Sequence, residues 1–417
     1  MKVLVVGGGG REHAIAAALK KSPRVTKLYC APGNGGTAII AENVPIKATD
    51  IDGMLEFALS EGIDFTVVAP DDPLALGMVD RFEAAGLRAF GPRSEAAIIE
   101  SSKVFSKNLM QKYGIPTAKF KAFDDMEEAL AYVRAQGAPI VVKADGLALG
   151  KGVVVAQSVQ EAEDAVRLMM RERKFGDSGS RVVIEECMQG PEVTVLAFTD
   201  GMTIVPMLSS QDHKRAYDND RGPNTGGMGA FCPSPKYTPD IAGYCMKHIF
   251  RPTVDAMNAE GRSFKGVLYF GLMLTSEGPK VVEYNARFGD PEAQPILTML
   301  KTDLLSIMEA VVDGRLADIN IEWESGYCCC VVLASGGYPN SYKTGYPIEG
   351  IDKVPAGTAV YHAGTKLIDG GFYTSGGRVL GVTSRAATLA EAVVGAYTAA
   401  SRISFTGMHF RRDIGTK

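Results

Sequence analysis

The chain has 417 residues, of which 46% are apolar and 22% charged, and a formal net charge of -4. Such a length exceeds one ordinary core and predicts about two to four domains around a cleft, while the balanced charge gives no polyanion footprint and argues against nucleic acid as a partner. No stretch approaches the roughly 20 apolar residues that a membrane span needs, and MKVLVVGGGGREHA has too short an apolar run before Arg11 for a secretion signal, so the expectation is a soluble, cytoplasmic protein without membrane contact.

From residue 2 to about 100, Val/Ile/Leu-rich runs (KVLVV, VTKLYC, FTVVAP) alternate with helix-like segments over 12–21 and 54–61. This is the rhythm of a parallel sheet covered by helices. Its strand ends, where such sheets collect ligands, carry GGGG, APGNGG and APDDP. Beyond residue 101 the rhythm changes. A helix in SSKVFSKNLMQKYG closes at Gly114 and Pro116, and KFKAF, a helix over 126–136, the strands PIVVKAD and GVVVAQ, a helix over 159–173 and RVVIEE make a small α+β unit. Then come EVTVLAFTD, TIVPMLSS, the loop DHKRAYDNDRGPNTGGMGA, a helix over about 239–260, the strands GVLYFGLMLT and PKVVEYN, and helices near 291–300 and 303–313. The loop has too many glycines in its second half for a regular helix or strand. A boundary falls near 319–326, and the last 90 or so residues, with several short strands, predict a third, β-containing lobe.

The seven cysteines have no framework spacing. Cys328, Cys329 and Cys330 are consecutive, and neighbouring strand residues face opposite ways, so they do not converge on one metal. They read as small apolar residues of a buried strand in a reducing compartment.

VLVVGGGGREHA joins a strand to a helix as a dinucleotide fingerprint does, but the third glycine position falls on Glu12 or His13. The next strand ends in Tyr-Cys-Ala, where a ribose-binding acid belongs. What remains is a helix N-terminus behind Gly9 and Gly10, with Arg11 beside it, as a candidate phosphate site. KADGLALGKGV is no P-loop: three residues, not four, separate Gly146 from Gly150, and Gly152 stands where Ser or Thr would hold magnesium. It joins strand to strand and predicts a flexible tip whose Gly150, Lys151 and Gly152 fold over a triphosphate. Lys143 lies in the otherwise apolar VVKAD, so its ammonium requires an anion if buried.

VIEECMQGPEV sets Glu185 and Glu186 at a strand end before a turn to Glu192, where backbone suits adenine and a carboxylate suits ribose hydroxyls. In VVEYNARFGDPE, Glu283 and Asn285 share one strand face, with Arg287 two residues further. Oxygen ligands on one face suit magnesium, and the guanidinium suits a phosphoryl oxygen.

In chain order GGGGREHA, APGNGGT, GPRSEAAIIESSKVFSK, VVKADGLALGKGVVVA, VIEECMQGPEVTV, DHKRAYDNDRGPNTGGMGA, VVEYNARFGDPEAQ and TSGGRVLGV resemble the ATP-grasp enzymes, and the sixth narrows the resemblance to the phosphoribosylamine-glycine ligase family. The resemblance implies a multidomain α/β and α+β fold: a parallel α/β lobe (1–100), an ATP-grasp lobe (101–320) with a small mobile lid (about 118–190), and a β-rich lobe (321–417). It implies ATP, glycine and 5-phosphoribosylamine as substrates, Mg2+ or Mn2+ as the ion, and glycinamide ribonucleotide, ADP and phosphate as products. By position, Lys103 and Lys143 contact ATP phosphates under the 146–152 loop, Glu186 and Met188 present backbone to adenine with Glu185 beside them in the nucleotide site, and Glu192 holds the ribose. Glu283 and Asn285 bind metal, and Arg287 steadies the transferred phosphoryl group.

Residues 212–229 are then expected to floor the acyl-acceptor site. Within them lie Asp212, Lys214 or Arg215 bearing on phosphate groups, and Asn224, Thr225, Gly226 and Gly227 giving close backbone approach. Asp290 is expected to recognise an amine. Gly9, Gly10, Arg11 and Arg378 are candidates for the ribose 5-phosphate. GVLYFGLML carries no second metal carboxylate, where many ATP-grasp enzymes place one, so the number of ions stays open, as does the choice between monomer and homodimer. Another ATP-grasp ligase would lack the 212–230 loop, and an ATP sensor would not need Glu283 and Asn285.

Overall fold

The computed structural model describes residues 1–148, 152–174 and 176–416. Strands Lys2–Gly7, Lys27–Pro32 and Phe65–Val68 are nearly continuous apolar runs, as a sheet covered on both faces requires. They form a parallel sheet in the order Glu42–Asn43, Lys27–Pro32, Lys2–Gly7, Phe65–Val68, Ala89–Phe90. The order reverses beside Lys2–Gly7, so the crevice of this sheet opens where the GGGG segment ends its strand. Helix Gly10–Lys20 starts two residues earlier than the sequence predicts, because the Gly9 N–H donates to Glu12 Oε2 at 2.6 Å and closes the first turn.

Two helices follow, Ser94–Ser101 and Lys103–Lys112, broken only at extended Ser102, whose hydroxyl caps Phe105 N at 3.1 Å. The small α+β unit is an antiparallel sheet ordered Phe120–Phe123, Val182–Glu186, Ile140–Ala144, Val153–Ala156. Helices Met126–Gln136 and Val159–Met170 pack on it around a core of its own, including Leu130, Val142, Val166 and Ile184. Beneath lies a second antiparallel sheet, Ile204–Pro206, Glu192–Thr199, Gly266–Thr275, Gly278–Asn285. Its core is continuous with that of the first lobe, joining Leu4 and Val68 to Phe270 and Tyr284. The helix expected over 239–260 is interrupted by a π turn at Met246–Phe250 between Pro239–Cys245 and Arg251–Ala259. Pro252 has no N–H to give the preceding turn, and the wider turn absorbs that loss.

The last sheet is ordered Gln211–Asp212, Gly229–Cys232, Tyr327–Ala334, Arg378–Ala386, Thr358–His362, and helix Leu389–Ala400 covers it. Cys328 and Cys329 enter two different cores from its middle strand, as alternation predicts. The Gly-rich loop departs from expectation. Its ends are strands of this sheet, and its middle is a hairpin of Arg215–Tyr217 and Arg221–Asn224. Asn219 and Asp220 make the turn with φ of 60° and 55°, a conformation these side chains tolerate better than most, so the turn needs no glycine.

Candidate active site

Lys143 is buried in strand Ile140–Ala144, and the anion it requires is Glu185: Nζ lies 2.9 Å from Glu185 Oε2 and 3.1 Å from Val282 O. Lys107 joins them, 3.1 Å from the same carboxylate oxygen and 2.7 Å from Thr117 Oγ1. Burial pushes the Lys107 ammonium down to about 8 against the pull of Glu185. Two ammonium groups on one carboxylate leave an excess positive charge, and Glu185 Oε1 is buried with no hydrogen-bond partner among the described residues. Glu185, grouped by its sequence position with the adenine, is here the counter-ion of two lysines. Its neighbour Glu186 uses its backbone N–H on Lys119 O at 3.0 Å, and Met188 lies in coil past the strand end, half-buried.

Lys103 opens helix Lys103–Lys112, and its Nζ donates to Gly146 O at 3.1 Å. Burial lowers its pKa, with Glu283 opposing. Asp145 accepts from Ser102 Oγ and Val104 N, which ties the base of the glycine tip to that helix start. Gly152 O still accepts from Ala144 N at 2.8 Å, whereas Gly150 and Lys151 lie outside the described residues.

Glu283 and Asn285 project from strand Gly278–Asn285 opposite Gly271 and Tyr269. The register shifts between Gly271 and Leu272, so Val282 is skipped by the pairing beside Glu283. Such an irregularity re-aims side chains, and Val282 is the residue whose carbonyl receives Lys143. Burial would raise the Glu283 carboxyl, but Lys214, Lys143, Lys103 and Arg287 outweigh it and hold the group below its usual range.

The sequence gives no signal for Glu100, which organises this edge. Buried in helix Ser94–Ser101, it accepts from Ala286 N at 2.6 Å and pairs with Arg287 Nη2 at 2.8 Å. The amide of Asn285, oriented to satisfy its neighbours, donates to Glu100 Oε1 at 3.0 Å, which turns its oxygen away from that carboxylate. Burial pushes Glu100 up to about 6 despite Arg287.

Lys214 leads from the loop into this group, 3.1 Å from Glu192 Oε2 and 3.5 Å from Glu283 Oε1. These carboxylates, with Asp212, hold it charged in spite of burial. Asp212 itself makes no side-chain hydrogen bond among the described residues, and burial raises its pKa, Lys214 opposing and Glu292, Glu192 and Glu283 assisting. Glu292, a second acid the sequence did not single out, accepts from Tyr269 Oη at 3.1 Å. Thr225 staples the loop shut, its N and Oγ1 donating to Lys214 O at 2.7 and 2.8 Å.

Asp290 is not an open carboxylate. Arg378 donates to Asp290 Oδ2 at 3.1 Å, to Asp290 O at 2.7 Å and to Gly226 O at 2.6 Å, and Gln294 Nε2 occupies Oδ1 at 2.8 Å. Burial would raise Asp290, yet Arg378 and Arg11 hold it low. Gly227, at φ 112°, presses its backbone on Pro291, and a Cβ at Gly10 would stand 2.6 Å from Gln294 Nε2. Arg11 is buried and engaged, by Glu12 Oε1 at 2.7 Å and Phe288 O at 3.0 Å. Gly9, Gly10, Arg11, Gly226, Gly227, Asp290 and Arg378 therefore meet at one junction of four chain segments. Asn224 lies apart from it, with Arg215, on the wall of a cavity of about 500 Å³ whose other sides are residues 153–155 and 339–340.

No group of three or more Asp, Glu, His or Cys side chains gathers to cage an ion among the described residues. One ionised carboxylate and one amide oxygen fit a hard divalent ion that takes its remaining oxygens from nucleotide phosphates and water.

Three family models match the chain: phosphoribosylglycinamide synthetase N domain over residues 1–100, ATP-grasp (A) domain over 101–293 and C domain over 328–417. Among curated proteins, the phosphoribosylamine-glycine ligase of Caldanaerobacter subterraneus subsp. tengcongensis is 50% identical over 414 residues, 99% of each chain. That of Allochromatium vinosum is 50% identical over 419 residues, covering 100% of this chain and 98% of the relative. The crystal structure of phosphoribosylamine-glycine ligase from Thermotoga maritima superposes with a TM-score of 0.86 at 34% identity, covering 99% of this chain and 100% of that one. A biotin carboxylase from Campylobacter jejuni, 14% identical with a TM-score of 0.76 over 98% of this chain and 92% of its own, shares the fold. The chain belongs to the phosphoribosylglycinamide synthetase family, with the ATP-grasp domain of an ATP-dependent ligase at its centre.

Proposed function

We propose that this chain joins glycine to 5-phosphoribosylamine at the expense of ATP, giving glycinamide ribonucleotide, ADP and phosphate, a step of de novo purine synthesis. The observation that carries the proposal is the seat of Lys214: a residue of the family-specific loop lies on both Glu192 and Glu283, so the loop and the nucleotide end share one cleft.

A carboxylate cannot be attacked by an amine until one oxygen becomes a leaving group, and phosphorylation to glycyl phosphate provides it. Lys103, Lys143 and Arg287 offset charge in this reading as the γ-phosphoryl group passes to the glycine carboxylate. Mg2+ or Mn2+ at Glu283 and Asn285 would supply further charge neutralisation on the phosphates. Glu185 keeps Lys143 in register until the phosphates arrive, and Glu192, Glu186 and Met188 face the nucleoside. The amine of phosphoribosylamine then displaces phosphate from the acyl carbon and loses a proton. Asp212, without a side-chain hydrogen bond among the described residues and with a pKa raised by burial, suits that proton and takes the amine-facing role expected of Asp290. The acyl phosphate hydrolyses readily, so water must be kept from it, the task expected of the tip between Gly146 and Gly152. All seven cysteines are free, which supports a reducing, cytoplasmic setting.

The test is ADP release from purified protein with ATP and Mg2+ or Mn2+, adding glycine and freshly generated phosphoribosylamine singly and together. Release that requires both, and that is lost in Glu283→Ala, is the expected result. Release driven by another acid and indifferent to glycine would refute the assignment.

A further inference from the structure

The chain returns to the acceptor hairpin at its very end. Arg411 is completely buried, and its guanidinium grips Asp413 with two bonds of 2.7 Å from Nε and Nη2. From the same fork Nη1 reaches across to the hairpin, 2.9 Å from Asp220 Oδ1 and 3.1 Å from Arg215 O. Two backbone N–H groups donate to carboxylates alongside: Arg412 N to Asp218 Oδ1 at 2.7 Å and Asn219 N to Asp413 Oδ2 at 2.9 Å. His409 Nε2 lies 2.8 Å from Ala216 O. The tail is itself anchored, because Tyr397 of helix Leu389–Ala400 donates to Arg411 O at 2.8 Å and accepts from Ile414 N at 3.0 Å.

Arg215, whose carbonyl Arg411 holds, also lines the cavity of about 500 Å³ between the hairpin and residues 153–155. Lys214 is the preceding residue. A buried guanidinium with its whole fork engaged is a rigid strut, since losing one bond leaves charge unpaired in a dry site. We infer that Arg411 is a positioning residue for the acyl-acceptor half of the reaction: it fixes the hairpin 215–224 as a wall of the cleft, acting from the C-terminal lobe without touching a substrate. The inference rests on assigning the 212–230 loop to the acceptor side.

Four variants test it, with steady-state constants for ATP, glycine and phosphoribosylamine. Asp220→Asn cuts an ion pair at the half-open turn and leaves the Arg411–Asp413 fork in place. A part-exposed pair of this kind predicts a rise of roughly two- to fivefold in KM for phosphoribosylamine, with KM for ATP unmoved. Arg411→Ala removes the strut and should raise the same constant more than about tenfold, with Arg411→Lys falling between. Equal rises for ATP and phosphoribosylamine, or a lowered urea midpoint without any change in KM, would overturn the inference. Lys214→Ala separates the two ideas: if it loses turnover while Asp220→Asn is unaffected, the acceptor assignment stands and the strut falls, whereas full turnover in Lys214→Ala sinks the assignment.

Discussion

Lys214 bridges Glu192 and Glu283, contacts of 3.1 and 3.5 Å that tie the 212–230 loop to strands Glu192–Thr199 and Gly278–Asn285. Lys214→Ala is expected to leave ATP binding within a few-fold and to lower kcat by about 100-fold, the scale on which removal of one preorganised charge acts. The carboxylates it leaves behind have lost their counter-ion, so half-saturation by Mg2+ should move to lower concentration. Metal titrations of ADP release check both effects, and an unchanged kcat would contradict the assigned role.

Glu100 pairs with Arg287 and receives the Asn285 amide, so Glu100→Gln should disturb two proposed phosphate-site groups at once. Breaking a buried ion pair from one side costs about 3–5 kcal/mol, and the amide, which keeps one oxygen, should lose less. Thermal unfolding and kcat are expected to fall together while KM for phosphoribosylamine stays put. Arg287→Lys, which cannot reproduce the planar fork, should share the kcat defect.

His13 and His362 set an acid limit on stability. His13 Nδ1 accepts from His362 N at 2.7 Å and so must remain unprotonated. Burial pushes His13 down to about 4 and, with help from His13, His362 down to about 3. Each has a folded pKa below its unfolded value near 6.5, so the unfolded chain binds more protons and stability falls as pH drops from 6.5 toward 4. For His13 alone the loss is of order 3 kcal/mol at the acid end. Urea unfolding at pH 7.5, 6 and 5 measures it, and His13→Gln should flatten the slope; an unaltered slope would be the wrong outcome.

Gly227→Ala tests the backbone approach at the junction. With φ at 112° and Pro291 against the position of a Cβ, the residue must shift. Strain of about 1–3 kcal/mol is expected, felt where Gly226 O meets Arg378. Isothermal titration should show ATP binding intact while steady-state KM for phosphoribosylamine rises.

The parallel sheet, the order of elements and the pairing of Glu283 with Asn285 were legible because periodicity and spacing are local properties. The buried cysteine strand was legible for the same reason. What could not be read were partners: Lys143 on Glu185, Arg287 on Glu100 and Asp290 on Arg378 are ion pairs separated by 42, 187 and 88 positions of chain. Arg11 next to glycines suggests a phosphate until Glu12 and Phe288 are seen to hold it. The hairpin inside the Gly-rich loop escaped because its strands are short and its turn uses Asn219 and Asp220.

Strand Gly229–Cys232 lies beside Tyr327–Ala334 although nearly a hundred residues intervene. Cut free at residue 320, the C-terminal segment would present the apolar run CCCVVLA as a bare sheet margin, a template for self-association. Such a fragment is expected to precipitate alone and to be rescued when the 1–320 fragment is supplied in trans. The fold is thus sewn rather than strung: the sheet built on Tyr327–Ala334 takes two strands, Gln211–Asp212 and Gly229–Cys232, from far earlier in the chain, and a graft of residues 321–417 onto another ATP-grasp enzyme would have to carry residues 211–232 with it.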